Sequence, residues 1–311
     1  MGTWNVVLWV VVAILIVLII IGEVFCQVSM SRRFKKGIIY KTRNRIYDTQ
    51  DVEWFKKHNK ETSITSSRGV KLVGYVFEHE TPCKHWMVVV HGYSSQALNM
   101  ANYIKGFYNL GYNVLAPELM GMGKSEGEYV AMAGYDADDV MLFIEKLNQD
   151  HPNCKIGLMG ASMGAATVMN TLDLGLPKNV EFFIEDSGYT NLWDQVRHQM
   201  RTIYHLDYLP VIHFASLTTK RKYGYHLKDV DAEPGLKSTK LPGLVLHGAE
   251  DDFVPTFFAD RAYSLLTGPK EMKYFDGCRH IRAEHQVREE YWKTVTSFLK
   301  KYSSKYKEEG K

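Results

Sequence analysis

Two kinds of hydrophobic pattern run along the chain. Thr3 to Ile21 is an unbroken apolar stretch without a charge, rich in Val, Ile and Leu, with Trp4 and Trp9 near its start. At a rise of ~1.5 Å per residue, a helix over it is long enough for the hydrocarbon core of one bilayer. From about Thr62 onward the pattern changes to short β-branched and apolar runs that alternate with stretches of helical period. Val70 to Phe77, Trp86 to Val90, Asn113 to Ala116, Ile156 to Met159, Phe182 to Ile184, Gly243 to Leu246 and Met272 to Phe275 predict strands. Ala97 to Leu110, Tyr135 to Asn148, Met163 to Leu174, Phe257 to Leu266 and Arg288 to Tyr302 predict helices. Strands that are apolar throughout are buried on both faces. Their alternation with helices predicts an α/β class fold, a mainly parallel sheet with helices on both faces.

One stretch, Ser187 to Leu241, breaks the alternation with aromatics, two prolines and helical pieces but no strong strand. It reads as a helical cap inserted over the strand ends. Its Trp193, Met200, Tyr204, Tyr208 and Phe214 either line an apolar substrate pocket or form the small core that holds the insertion to the sheet. The expected organisation is therefore a membrane anchor over residues 1–29 (span about 3–21), a lead-in over 30–61, and an α/β domain over 62–311 with the cap at about 187–241.

Charge orients the anchor. Before the span there is only the α-amino group. After it come Arg32, Arg33, Lys35, Lys36, Lys41, Arg43 and Arg45, with no acid between Glu23 and Asp48. The positive-inside rule then predicts a single-pass cell-membrane protein whose large domain is cytoplasmic, with an extracellular domain as the alternative. The basic run itself reads as a stop-transfer flank. The residues after the span (Glu23, Val24, Phe25) offer no small-residue cleavage site, which favours an anchor over a cleaved signal peptide.

Composition narrows the partners. With 38 Lys+Arg against 35 Asp+Glu the net charge is +3, too balanced for phosphate-driven nucleic-acid binding. The four cysteines, Cys26, Cys83, Cys154 and Cys278, form no CxxC pair, so neither a disulfide framework nor a structural metal is expected.

The sharpest chemical feature is Gly160-Ala161-Ser162-Met163-Gly164, set directly after an apolar strand and before an Ala-rich helix. That is the strand, sharp turn and helix context of a nucleophile elbow, in which small flanking residues let a strained turn lift the serine hydroxyl from the sheet edge. A serine needs a histidine to take its proton and a carboxylate to hold that histidine's tautomer. The acid is expected after a late strand, where Gly243 to Leu246 leads into His247-Gly248-Ala249-Glu250-Asp251-Asp252-Phe253-Val254-Pro255. Asp251 is the candidate, with Glu250 and Asp252 as neighbouring alternatives. The base is expected in the loop after the last strand, at His280, with His285 as runner-up. Cys278 lacks an elbow and reads as structural. Two backbone N–H groups, of Met163 after the nucleophile and Tyr93 after the strand ending at Val90, are the candidate oxyanion hole. His91 reads as a hydrogen bonder that organises that loop.

With serine, acid and histidine in this order, the chain from about Thr62 to Tyr302 resembles the α/β-hydrolase superfamily. Its His91 to Tyr93 loop, Pro117 to Ser125 segment, Glu185 to Thr190 and His247 to Pro255 are similar to bacterial membrane-anchored, serine-aminopeptidase-like hydrolases. The resemblance implies an α/β-hydrolase fold behind one N-terminal transmembrane helix. Two departures stand out. Where relatives carry Asp-x-Arg-Gly-x-Gly-x-Ser, this chain has Glu118-Leu119-Met120-Gly121-Met122-Gly123-Lys124-Ser125, without the arginine. Where they carry Gly-x-Gly-His, it has Gly277-Cys278-Arg279-His280, which puts a cation beside the base. Some relatives place the acid after another strand, which makes Asp186 the alternative to Asp251.

The expected function is a serine hydrolase acting on a carboxylic ester or thioester through an acyl-enzyme, with no cofactor and a small-molecule ester or acyl substrate, for which the nearby bilayer and the aromatic insertion suggest an apolar acyl group. A serine peptidase is a second reading, for which Asp194, Asp207, Asp229, Asp231 and Glu233 form no convincing amine-binding cluster. A membrane-tethered binding protein with the same fold is the third.

Overall fold

The computed structural model describes residues 2–32, 49–203, 205 and 210–309. The basic run from Arg33 to Arg45, and with it the charge argument for orientation, lies outside the described residues, as do Tyr204, Asp207 and Tyr208.

Eight strands form one sheet: β1 (Lys60–Thr65), β2 (Lys71–Phe77), β3 (His85–Val90), β4 (Asn113–Pro117), β5 (Lys155–Ala161), β6 (Val180–Asp186), β7 (Gly243–Gly248) and β8 (Lys270–Phe275). Their spatial order is β1-β2-β4-β3-β5-β6-β7-β8. β1 and β2 pair antiparallel, as do β2 and β4, and every later pairing is parallel. The helices are α1 (Thr3–Met30), α2 (Thr49–His58), α3 (Ala101–Asn109), α4 (Asp136–Asp150), α5 (Met163–Thr171), α6 (Leu192–Thr202), α7 (Val211–Tyr223), α8 (Glu233–Ser238), α9 (Phe257–Leu265), α10 (Ala283–Gln286), α11 (Arg288–Tyr302) and α12 (Ser304–Glu309).

Alternate residues of each central strand point to opposite faces, so one strand feeds two cores. Trp86, Val88 and Val90 join Leu158, Phe183 and Val245 under α4, α5 and α9. Met87 and Val89 join Met159, Phe182 and Leu244 under α3 and α11. The segment between β6 and β7 is helical, with α6 and α7 over the carboxyl ends of the strands beside Ser162 and α8 packed against the far end of α5 at Leu172.

The differences from expectation have simple causes. β1 begins at Lys60, inside the expected lead-in. Its exposed, polar KETSIT sequence at the sheet edge carries little hydrophobic signal. The helix expected over Ala97 to Leu110 opens as a 3-10 turn at Ala97–Met100 before α3. α1 continues nine residues past the expected end of the span at Ile21. Cys26 and Met30 there are buried against the domain.

Candidate active site

Ser162 sits at the turn between β5 and α5 with φ 57 and ψ −123, a strained conformation that L-residues rarely hold. The glycines of the elbow explain why the turn fits. A Cβ on Gly160 would collide with the backbone of Gly164, and one on Gly164 with the carbonyl of Val90. Across the turn, a Cβ on Gly92 would lie 3.1 Å from Ser162 Cβ, so the loop after β3 approaches the serine closely. Tyr93 follows that glycine, and Met163 opens α5, where a first-turn N–H has no partner within its own helix. Both candidate oxyanion donors thus belong to elements that flank Ser162.

His280, Asp251 and Ser162 come together as a relay. His280 Nε2 is 2.8 Å from Ser162 Oγ, and its Nδ1 is 2.7 Å from Asp251 Oδ2. An ionised carboxylate only accepts, so Nδ1 donates to Asp251 and Nε2 accepts from the Ser162 hydroxyl. Asp251 is buried. Its Oδ1 accepts the backbone N–H groups of Phe253 (3.0 Å) and Val254 (2.9 Å). Burial works against ionisation here, yet hydrogen bonds from His247 and His280, the His280 charge and the Val254 N–H hold the carboxyl well below the usual range. Glu250 and Asp252 are exposed.

His247 is the residue that sequence reasoning passed over. Fully buried at the end of β7, it donates Nε2–H to the carbonyl of Val254 at 2.8 Å and lies 3.4 Å from Asp251 Oδ2. Burial alone would lower its pKa, but Asp251, the charge of Glu185 and the Val254 carbonyl raise it overall. The signal was its place at the end of the strand that delivers the acid.

The alternatives are placed elsewhere. Asp186 accepts hydrogen bonds from the hydroxyls of Tyr103 (3.1 Å), Tyr291 (3.0 Å) and Ser187 (2.9 Å). His285 is exposed on the short α10, and Cys278 is buried in the sheet core. His91 accepts the Leu119 N–H on Nε2 at 3.0 Å and faces the Gly92 carbonyl with Nδ1 at 2.9 Å, so it does organise the loop. The missing arginine leaves no unmatched acid, because Glu118 takes the backbone N–H of Lys124 at 2.6 Å, while Met120 packs in the core. Arg279 pairs with Asp252 at the surface. Asp194 and Glu233 both pair with Arg261.

Two cavities meet at Ser162. One, of about 360 Å³, is bordered by charged side chains, among them Asp51, Arg279, Arg282 and Glu284. The other, of about 250 Å³, is mainly apolar and runs under the cap between Leu192, Val196, Tyr189 and Met132. Tyr93 and Phe253 border both. Of the aromatics expected to line a pocket or to pack, Trp193 packs edge-on to His213 with Lys228 over its ring, and Met200 is buried in the cap core.

Sheet order and elbow define a class of fold: the chain has the α/β-hydrolase fold. Within it, residues 81–188 match the family model described as serine aminopeptidase, S33. The chain is 27% identical over 292 residues to the uncharacterized protein YqkD of Bacillus subtilis (strain 168), covering 92% of this chain and 94% of that one. The Pyrococcus furiosus esterase Pf2001 superposes with a TM-score of 0.64 at 22% identity, over 83% of this chain and 96% of that chain. The esterase EaEST from Exiguobacterium antarcticum superposes with a TM-score of 0.56 at 17% identity, over 77% and 99%. At these identities the structural likeness establishes the fold.

Proposed function

We propose that this chain is a membrane-anchored serine hydrolase of carboxylic esters or thioesters. The observation that carries the reading is the unbroken relay from Ser162 Oγ through His280 to Asp251, on a strained elbow that sets the serine where two cavities meet. In the first half-reaction the Ser162 oxygen bonds to the acyl carbon while its proton passes to His280 Nε2. The oxyanion that forms is held by the N–H groups of Tyr93 and Met163. His280 then gives the proton to the leaving alcohol or thiol as its bond to the acyl carbon breaks, which leaves Ser162 acylated. Water repeats the sequence with His280 again as base, releasing the acid and restoring the serine. Asp251, ionised across the working pH range, holds the tautomer and stabilises the imidazolium. The esterase names of the two structural neighbours favour an ester over a peptide substrate.

α1 would be the anchor. Its span has a mean hydropathy of 3.1 and is largely exposed, as expected of a surface facing lipid. The basic residues that follow favour a cytoplasmic domain.

The test is labelling of the full-length protein with a fluorophosphonate, followed by hydrolysis of p-nitrophenyl esters from acetate to palmitate. Labelling that disappears in Ser162→Ala, with ester turnover lost in parallel, supports the reading. A folded wild-type protein that neither labels nor turns over any ester refutes it. Digestion of the domain by protease added outside sealed cells would refute the cytoplasmic placement.

A further inference from the structure

The last two turns of α1 do more than reach the domain. Phe25, Cys26, Val28, Ser29 and Met30 form one wall of the apolar cavity at Ser162. The hydroxyl of Tyr93, the residue proposed to hold the oxyanion through its N–H, donates to the Ser29 carbonyl at 2.6 Å. A helix that served only as a tether would have no need to be there.

Its seat is built by specific contacts. A Cβ on Gly22 would lie 2.8 Å from the backbone of Phe214, so only glycine lets α1 approach α7 this closely. Glu23 pairs with Arg221 at 2.8 Å and with Lys222. Cys26 Sγ meets Thr219 Oγ1 at 3.7 Å, across the same helix contact. Beyond the helix end, Val130 N–H donates to the Met30 carbonyl at 2.8 Å and Arg32 N–H to the Glu128 carbonyl at 2.9 Å. α1 is therefore packed into the cap along one end and largely exposed along the other, from Thr3 to Ile20. The cavity lies at the foot of the apolar span. Ile203 borders the cavity and is 51% exposed, which marks where it opens.

We propose that α1 is the specificity wall of the acyl cavity as well as the tether. The apolar acyl chain of a membrane-resident ester would pass along α1 into this cavity, and its polar alcohol end would face the cavity with charged borders on the other side of Ser162. This rests on the hydrolase reading above and deepens it. Apolar burial of the chain supplies the binding free energy, and the charged side chains that border only one of the two cavities set which end of the ester points where.

The experiment fills the cavity from the α1 side in the full-length protein, reconstituted in phosphatidylcholine vesicles. Ser29→Phe and Val28→Phe each project a ring toward the cavity from residues that take no part in the relay. Each is expected to lower kcat/KM for p-nitrophenyl palmitate by about tenfold or more, the scale of a lost methylene contact or greater, while acetate turnover stays nearly unchanged. Val24→Phe, on the exposed side of the same helix and away from the wall, is expected to leave both esters as in wild type. Palmitate ester mixed into the vesicles that carry the protein is expected to be cleaved faster than the same ester supplied in separate vesicles. If both Phe variants keep the wild-type chain-length profile, or lose acetate and palmitate turnover equally, the α1 wall is refuted. Equal rates from the same and from separate vesicles refute supply through the shared bilayer. A wild-type chain inactive toward every ester and unlabelled by fluorophosphonate refutes instead the hydrolase reading beneath the proposal.

Discussion

Asp251 and Asp186 are carboxyls buried at the same end of the sheet, Asp186 as the last residue of β6 and Asp251 just beyond β7, and their surroundings push them in opposite directions. Asp251 faces two imidazoles and two backbone N–H groups, and its pKa falls well below the ordinary 3.8. Asp186 is just as deeply buried, and burial is the dominant influence on it. Hydrogen bonds from Ser187, Tyr291 and Tyr103 oppose that influence without overcoming it, so its pKa rises. The lesson is that neutral hydroxyls do not replace a titratable partner. A buried carboxylate stays ionised when a group that can carry positive charge hydrogen-bonds to it directly; the His247 charge reaches Asp186 without such a bond. Of the two acids that the sequence offered, only the one beside His280 meets this condition.

Five changes would break or sharpen this comparison. The largest effect is expected for Asp251→Asn, which keeps the shape but reverses the demand on His280 Nδ1. Turnover should fall by about four orders of magnitude, measured with p-nitrophenyl acetate. Asp186→Asn, measured alongside it, should cost only a few-fold, and the opposite ranking would show that the acid is Asp186. Next comes Gly164→Ala, whose methyl would meet the Val90 carbonyl. Overpacking there should lower stability by about 1–3 kcal/mol in chemical denaturation and distort the elbow, so that fluorophosphonate labelling slows.

A smaller effect concerns pH. Glu185, fully buried beside His247, has its pKa raised to about 8, chiefly by burial. Between its ordinary 4.5 and about 8 the folded chain holds a proton that the unfolded chain releases, so this group makes stability fall as pH rises through that window. Asp251 acts with the opposite sign. Its contribution is complete above 3.8 and is lost as pH falls below that value toward its folded pKa. Glu185→Gln should flatten the decline in melting temperature between pH 5 and pH 8 while leaving the acid limb unchanged, as followed by thermal unfolding. The smallest effect is expected for Tyr93→Phe, which removes the hydrogen bond to the Ser29 carbonyl at a cost of about 1 kcal/mol. Its backbone N–H is retained, so acetate turnover should barely change.

The relay was legible in the chain because each member stands where a strand ends and a small residue permits a turn: Gly160 and Gly164 about Ser162, the end of β7 before Asp251, and Gly277 before His280. β1 was less legible. An edge strand reading KETSIT has no buried face to impose apolar alternation. His247 was read only as part of the approach to Asp251, because nothing in its neighbours along the chain reveals that its ring closes on the acid four residues later. The same applies to the wall at Phe25 to Met30. Those residues continue an apolar run, and a hydropathy pattern cannot separate the part that stays exposed from the part that faces a cap inserted almost two hundred residues further on.

What the sequence determined by itself was therefore local in kind: the alternation that makes the sheet, the span before it, and the turns that carry serine, acid and histidine. Tertiary structure decided which carboxyl meets the histidine, how the Glu118 loop closes without an arginine, and that the apolar N-terminal helix ends against the serine's apolar cavity. The reason is physical. Periodicity and turn chemistry act over a few residues, whereas the electrostatics of a buried acid and the wall of a cavity depend on groups that only packing brings together.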